Sequence, residues 1–205
     1  TFTVTRAAAN SAPTAFDFTN QTTVPLSNTR TSANTVTIAG LSSGTSLNVS
    51  ISGGTYSKNG AGYSSANTTA VNGDTFKLRH TSSGSYSTAT TTTLTVGTGT
   101  GSFVSTTLPA DTIPTAFDFT NQTNVPLSST RTSANTVTIA GLTAGTSTAV
   151  SISGGTYSKN GAAYSSSNTT AVNGDTFTLR HTSSGSYSTS VTTTFTFGGV
   201  GGSFT

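Results

Sequence analysis

The stretch LNVSISGGTYSKNG, residues 47–60, decides the fold class because it combines the alternation of a strand with the signal of a tight turn. A β-strand here would place Leu47, Val49 and Ile51 on one face and small polar residues on the other. The Asn-Gly pair that ends the stretch accepts the positive φ angles of a two-residue hairpin turn. The stretch therefore predicts a half-buried strand followed by a hairpin.

Further runs of the same kind lie on both sides of this stretch, separated by turn signals such as Asn72-Gly73-Asp74. Proline at position 25 lacks an amide proton, so residues 24–26 suit an edge strand. An extended segment is also expected beyond Gly97, up to about Thr107. Seven to nine strands in about 95 residues, with no helical period, are typical of a β-sandwich. The residues predicted to point inward are Val36 and Ile38, Phe76, Leu78 and His80, and Thr92, Leu94 and Val96.

The sequence repeats itself with an offset of 101 residues. PTAFDFTNQT begins at Pro13 and again at Pro114, and the alignment continues without a gap, with 17 differences in 92 positions. A repeat of this length indicates that each copy is one structural unit. We therefore expect two tandem all-β domains, at residues 13–108 and 114–205, joined by a linker at residues 109–113.

Composition excludes several functional classes. Eight Lys and Arg and five Asp and Glu give a formal charge of +3. Spread over two domains, this charge is too small for a nucleic-acid interface, which needs Lys and Arg clustered on one face. No apolar run approaches the roughly 20 residues of a membrane helix, so no membrane insertion is expected. Cysteine is absent, and 83 of the 205 residues are Ser or Thr. Each domain must therefore be held by its β core and not by disulfide bonds.

The motifs occur in an order that resembles the immunoglobulin-like repeats of bacterial secreted and cell-surface proteins. In chain order they are VTIAGL from Val36, YSKNG from Tyr56, VNGDTF from Val71, LRHTSSGSYST from Leu78, TFTFGG from Thr194 and SFT from Ser203. The resemblance implies two immunoglobulin-like β-sandwich domains and an extracellular or cell-surface location. The Cys and Trp of antibody-type domains are absent, so the likeness is to the bacterial modules alone.

The repeat is out of phase with both ends of the sequence. At the 101-residue offset, residues 1–5 align with residues 102–106, which belong to the last expected strand of the first domain. The second domain holds only the first residues of its own last strand. We therefore expect residues 1–12 to be a donor strand with its linker. The predicted donor residues are Thr1, Phe2, Thr3, Val4 and Thr5, and the predicted acceptor edge is Phe195, Phe197, Ser203, Phe204 and Thr205.

A sheet that lacks a strand exposes unpaired amides and carbonyls, which a strand from another chain can pair with. Such a contact is head to tail, so it would generate a filament. The predicted function is therefore a structural subunit of an extracellular filament, whose partners are other copies of the same chain. The alternative is an adhesin or stalk segment of a long covalent immunoglobulin-like array that binds a surface ligand such as a glycan.

Four tyrosines flank the Asn-Gly hairpins and would face the ligand of such an adhesin. They are Tyr56 and Tyr63 in the first domain and Tyr157 and Tyr164 in the second. Tyrosine beside a hairpin also packs commonly against the neighbouring strand, and packing is the interpretation that we favour.

The sequence predicts no enzyme, no cofactor and no metal site. His80 and His181 are the only histidines, and neither has an acidic residue or a cysteine at the spacing of a catalytic triad or a zinc site. Each is expected to complete a strand end that faces the core. Asp17 and Asp74 are single acidic residues in turns, where they are expected to bond to the nearby backbone and not to calcium.

Overall fold

A computed structural model describes residues 10–205, which form strands and turns and contain no helix that could cross a membrane. The donor strand expected at residues 1–5 lies outside the described residues. The chain divides between Pro109 and Ala110 into two compact units, called unit 1 and unit 2 below.

The described residues of unit 1, from residue 10 onward, form a two-sheet sandwich of nine strands. One sheet has the order β1-β9-β8-β4-β6, and in the other β7 pairs with β2, β3 and β5. The neighbours β4-β8-β9 and β3-β7-β5 correspond to the C-F-G and B-E-D strands of an immunoglobulin-like sandwich. The strands are β1 (Gln21–Val24), β2 (Thr29–Thr31), β3 (Val36–Thr37), β4 (Leu47–Ser52), β5 (Thr55–Lys58), β6 (Thr68–Ala70), β7 (Thr75–Thr81), β8 (Ala89–Val96) and β9 (Gly99–Thr107).

The core of unit 1 lies between the two sheets. Val49, Leu94 and Phe103 enter it from one sheet, Phe76 and Leu78 enter it from the other, and all five are fully buried. The inward faces predicted for β7 and β8 are confirmed by the alternation of buried and half-exposed residues along both strands. Burial of one large apolar side chain contributes about 1.5–3 kcal/mol, so this core is a major source of stability in a chain that contains no cysteine.

The Asn-Gly turn predicted after β5 is confirmed. Asn59 and Gly60 have φ angles of 50° and 76°, and the Ala61 amide donates to the Lys58 carbonyl at 2.9 Å. Asp74 holds the turn in place, since it lies 2.8 Å from Lys58 Nζ and accepts a hydrogen bond from the Asn59 side chain at 2.7 Å. Burial acts to raise the pKa of Asp74, but these bonds outweigh burial and lower it. Asp74 is therefore an ionised residue that fixes the Asn-Gly turn. It also accepts a hydrogen bond from the nearby Val71 amide at 3.0 Å, as expected from the sequence.

Unit 2 repeats this sandwich with eight strands. Its sheets have the orders β14-β12-β16-β17 and β10-β15-β11, with β13 also paired to β15. The strands are β10 (Thr130–Thr132), β11 (Val137–Thr138), β12 (Thr148–Ser153), β13 (Thr156–Lys159), β14 (Thr169–Ala171), β15 (Thr176–Thr182), β16 (Thr193–Phe197) and β17 (Val200–Phe204).

Unit 2 differs from unit 1 at one edge of its larger sheet. Residues 122–125, which correspond to β1, form no strand, and β16 begins three residues later than β8 does at the 101-residue offset. In unit 1 the corresponding segments pair with residues 104–107 at the end of β9. Among the described residues of unit 2, only Thr205 occupies the corresponding place beside these segments, and it bonds to the Gln122 amide and the Thr192 hydroxyl.

Candidate strand-acceptor groove

Residues 105–108, called the closing segment below, complete the larger sheet of unit 1. Ser105 pairs with Gln21 of β1 on one side and with Thr90 of β8 on the other. The Leu108 amide donates to the Val24 carbonyl at 3.0 Å. Ser105 and Thr107 are buried, with exposed fractions of 0% and 2%. The closing segment is therefore a strand end that is paired along both edges and turns two hydroxyl side chains inward.

His80 binds the first of these hydroxyls, and the surrounding bonds fix its tautomer. The Thr92 hydroxyl donates its single proton to the Gly53 carbonyl at 2.9 Å, so its oxygen accepts from His80 Nδ1 at 2.8 Å. His80 Nε2 is then the unprotonated nitrogen, and it accepts from Ser105 Oγ at 2.6 Å. Burial, and then the charge of Arg30, lower the pKa of His80, which favours this neutral state. His80 thus accepts a hydrogen bond from a hydroxyl group of the closing segment.

The equivalent place in unit 2 is an open groove of about 490 Å³, called the acceptor groove below. One end of it is marked by Thr205, whose carbonyl accepts from the Gln122 amide at 2.8 Å. Beyond that bond the groove runs where the closing segment runs in unit 1. Its lining includes Gln122, Val125, His181, Tyr187, Val191 and Thr205.

His181 has the same tautomer as His80 but lacks its second partner. Its Nδ1 lies 2.9 Å from the Thr193 hydroxyl, which donates to the Gly154 carbonyl at 3.0 Å, so Nδ1 carries the proton. Its ring stacks on Phe204 with 4.5 Å between centroids. Burial lowers the pKa of His181. Among the described residues no group bonds to its Nε2, which leaves an unprotonated acceptor in the lining of the groove.

Apolar side chains are more exposed at the acceptor groove than at the closed site of unit 1. Tyr187 is 85% exposed whereas its counterpart Tyr86 is 39% exposed. Val125 is half-buried whereas Val24 is 3% exposed. A segment placed in the groove would therefore cover apolar surface as well as pair with backbone groups.

The predicted acceptor residues lie mostly elsewhere. Phe195, Phe197 and Phe204 are fully buried in the core of unit 2, and Ser203 pairs with Thr194 of β16. Of the five, only Thr205 lines the groove. The physical reason is that Phe204 already takes the core position that Phe103 takes in unit 1, so the core of unit 2 is closed and only the strand end is open. His181 and Tyr187, which line the groove, were not among the predicted acceptor residues.

The predicted ligand-facing tyrosines are held by packing in both units. Tyr56 is buried and donates its hydroxyl proton to a backbone carbonyl at 2.6 Å, and Tyr63 lies under the Arg79 guanidinium at 3.9 Å. Unit 2 repeats both arrangements at Tyr157 and Tyr164. Burial removes Tyr56 and Tyr157 from any ligand-facing surface, and one face of each remaining ring is covered by arginine.

No model of a known protein family and no curated protein matches the chain. The I9-I11 tandem from titin is similar at 17% identity over 92% of this chain and 63% of that chain, with a TM-score of 0.25. The adhesin InvE of Yersinia pseudotuberculosis is similar at 12% identity over 90% and 55%, also with a TM-score of 0.25. The chain therefore spans less than two thirds of either structure, and the fold assignment rests on the strand order and the core described above.

The two histidines make stability depend on pH. Since the folded state lowers both pKa values below the ordinary 6.5, the unfolded chain takes up protons first as the pH falls. Stability is complete above about pH 6.5 and decreases below it. We expect unit 1 to melt at a lower temperature at pH 5 than at pH 7.5, and the variant His80→Gln to show a smaller difference. Thermal unfolding of both proteins tests this, and an equal pH effect in the two would contradict it.

Proposed function

We propose that the chain is a structural module of an extracellular fibre, built from immunoglobulin-like units that follow one another head to tail. The acceptor groove carries the proposal. Unit 1 buries its closing segment where unit 2 leaves a groove with an unpaired histidine nitrogen and an exposed tyrosine. A strand that enters the groove would close unit 2 in the way that unit 1 is closed.

Pairing along two edges supports a strand as the occupant. In unit 1 the closing segment lies between β1 and the start of β8, and it pairs with both. Residues 122–125 and 190–192 correspond to these neighbours, and neither forms a strand in unit 2. A strand in the groove would order both, because the main-chain hydrogen bonds of an added strand supply much of its affinity.

Another copy of the same chain is the partner that we propose to supply this strand. Its residues 1–7 align with residues 102–108, so residues 4–7 share the position of the closing segment in the repeat. Because donor and acceptor would lie at different places on each copy, the contact would be heterologous and would extend into a filament. In the second form of the proposal, a covalent array, the strand belongs to the same polypeptide and follows Thr205.

Deletion of residues 1–7 tests the filament form. We expect the full chain to assemble into species far larger than its 20.4 kDa, visible by electron microscopy, and the shortened chain to remain monomeric. The matched control is a full chain in which residues 105–108 are copied after Thr205, since a groove closed from within should also block assembly. Fibres that form equally well in all three proteins would refute the donor role of residues 1–7.

A further inference from the structure

We infer that the acceptor groove selects a strand with a serine and a threonine at its two inward positions, in the pattern Ser-x-Thr-Leu of residues 105–108. The inference rests on the proposed function of the groove as a strand acceptor, and it names the chemistry of the strand. Two side-chain contacts in unit 1 define the serine and the threonine, a main-chain contact adds the residue after them, and the groups that make all three recur in the lining of the groove.

The first inward position requires a short hydrogen-bond donor. His181 Nε2 is an unprotonated acceptor because Nδ1 carries the proton that is given to Thr193. In unit 1 the same nitrogen accepts from Ser105 Oγ at 2.6 Å. A valine at this position would cover the nitrogen without bonding to it, and a buried acceptor without a partner is unfavourable.

The second inward position requires a group that both donates and accepts. The Thr107 hydroxyl donates to the Ser85 carbonyl at 2.6 Å and accepts from the Thr88 amide at 2.9 Å. The counterparts Ser186 and Thr189 both line the acceptor groove. A hydroxyl satisfies both groups at once, whereas an aliphatic or cationic side chain satisfies at most one.

The main chain of the leucine makes the third contact. In unit 1 the Leu108 amide donates to Val24, and the Leu108 carbonyl accepts from the Ser87 amide at 3.0 Å. Val125 and Ser188 are the counterparts in the lining of the groove. A strand that reaches this position could therefore form main-chain hydrogen bonds with Val125 on one side of the groove and with Ser188 on the other.

The hydroxyl side chains of residues 1–7 align with outward positions of unit 1, and not with the inward positions of Ser105 and Thr107. At the 101-residue offset, Val4 takes the place of Ser105 and Arg6 takes the place of Thr107, while Thr3 and Thr5 align with outward positions. Valine cannot donate to His181, and an arginine at a position that is 2% exposed in unit 1 would lose its hydration. We therefore expect the Ser-x-Thr-Leu pattern to fill the groove better than residues 4–7, which as the donor of another copy would bind through main-chain hydrogen bonds alone.

Three extended full-length chains test the inference. After Thr205 they carry Ser-Thr-Thr-Leu, the same segment with valine in place of its serine, or Val-Thr-Arg-Ala. The readouts are the His181 imidazole signals by NMR and the fraction of closed groove from the exchange of amides 123–125. We expect closure with the first segment and an equilibrium constant for closure about tenfold lower with each of the other two.

The outcomes separate the inference from the proposed function. Equal closure by all three segments would overturn the selectivity and leave the strand-acceptor function standing. Closure by none would overturn both. As a further check, His181→Phe should abolish the preference for serine over valine, because phenylalanine has no acceptor nitrogen; a preference that persists would also overturn the inference.

Discussion

Replacement of Phe195 by alanine is expected to destabilise unit 2 by about 3–5 kcal/mol and to leave unit 1 unchanged. Phe195 is fully buried, and its ring centroid lies 4.8 Å from that of Phe177 and about 6 Å from those of Phe117, Phe119 and Tyr157. Its removal would leave a cavity at the centre of this aromatic cluster. Because domains of this kind are stable by only about 5–15 kcal/mol, unit 2 should unfold at a clearly lower temperature.

Urea or thermal unfolding, followed by NMR signals assigned to each unit, measures this effect. The matched control is Leu94→Ala, which removes the corresponding side chain from the core of unit 1 and should shift the unfolding of unit 1 alone. A single transition that moves equally with either substitution would show that the two units do not unfold independently.

Replacement of Ser105 by valine is expected to destabilise unit 1 by about 1–3 kcal/mol. The substitution removes the proton that His80 Nε2 accepts at 2.6 Å and leaves that nitrogen covered. The variant Thr106→Val, at the neighbouring half-buried position, is the control and should change stability by no more than about 0.5 kcal/mol. Unfolding in urea measures both, and a Ser105→Val protein as stable as the parent would remove the basis for serine selection in the groove.

Local patterns were sufficient to predict most strands and the Asn-Gly turn, although the edge strand expected at residues 24–26 lies at Gln21–Val24 and ends before Pro25. The alternation of apolar and polar residues around Leu94 predicts β8 correctly. The Asn59-Gly60 pair predicts the turn after β5, because few other residue pairs tolerate positive φ angles at both positions. These features depend on neighbours in sequence.

The lining of the groove depends on contacts between residues that are far apart in sequence, and local patterns carry little information about these. His181 resembles a residue that completes the core, and its position at an open edge emerges only when β15 is packed beside β17. Phe204 was predicted at the acceptor edge because the last expected strand of the second domain is incomplete, but its ring is fully buried in the core. The hydrogen bond of the Tyr56 hydroxyl could likewise not be predicted from local patterns, since its partner is a carbonyl ten residues away.

Amide hydrogen exchange at residues 123–125 tests the strand-acceptor account most directly. The full chain is measured alone at low concentration and again with a saturating amount of a peptide that has the sequence of residues 105–110, and Gln21–Val24 of β1 serve as the internal reference. The account predicts fast exchange at residues 123–125 in the free chain and strong protection with the peptide, while β1 is protected in both. Equal protection before and after addition, or exchange that remains fast with the peptide, would contradict it.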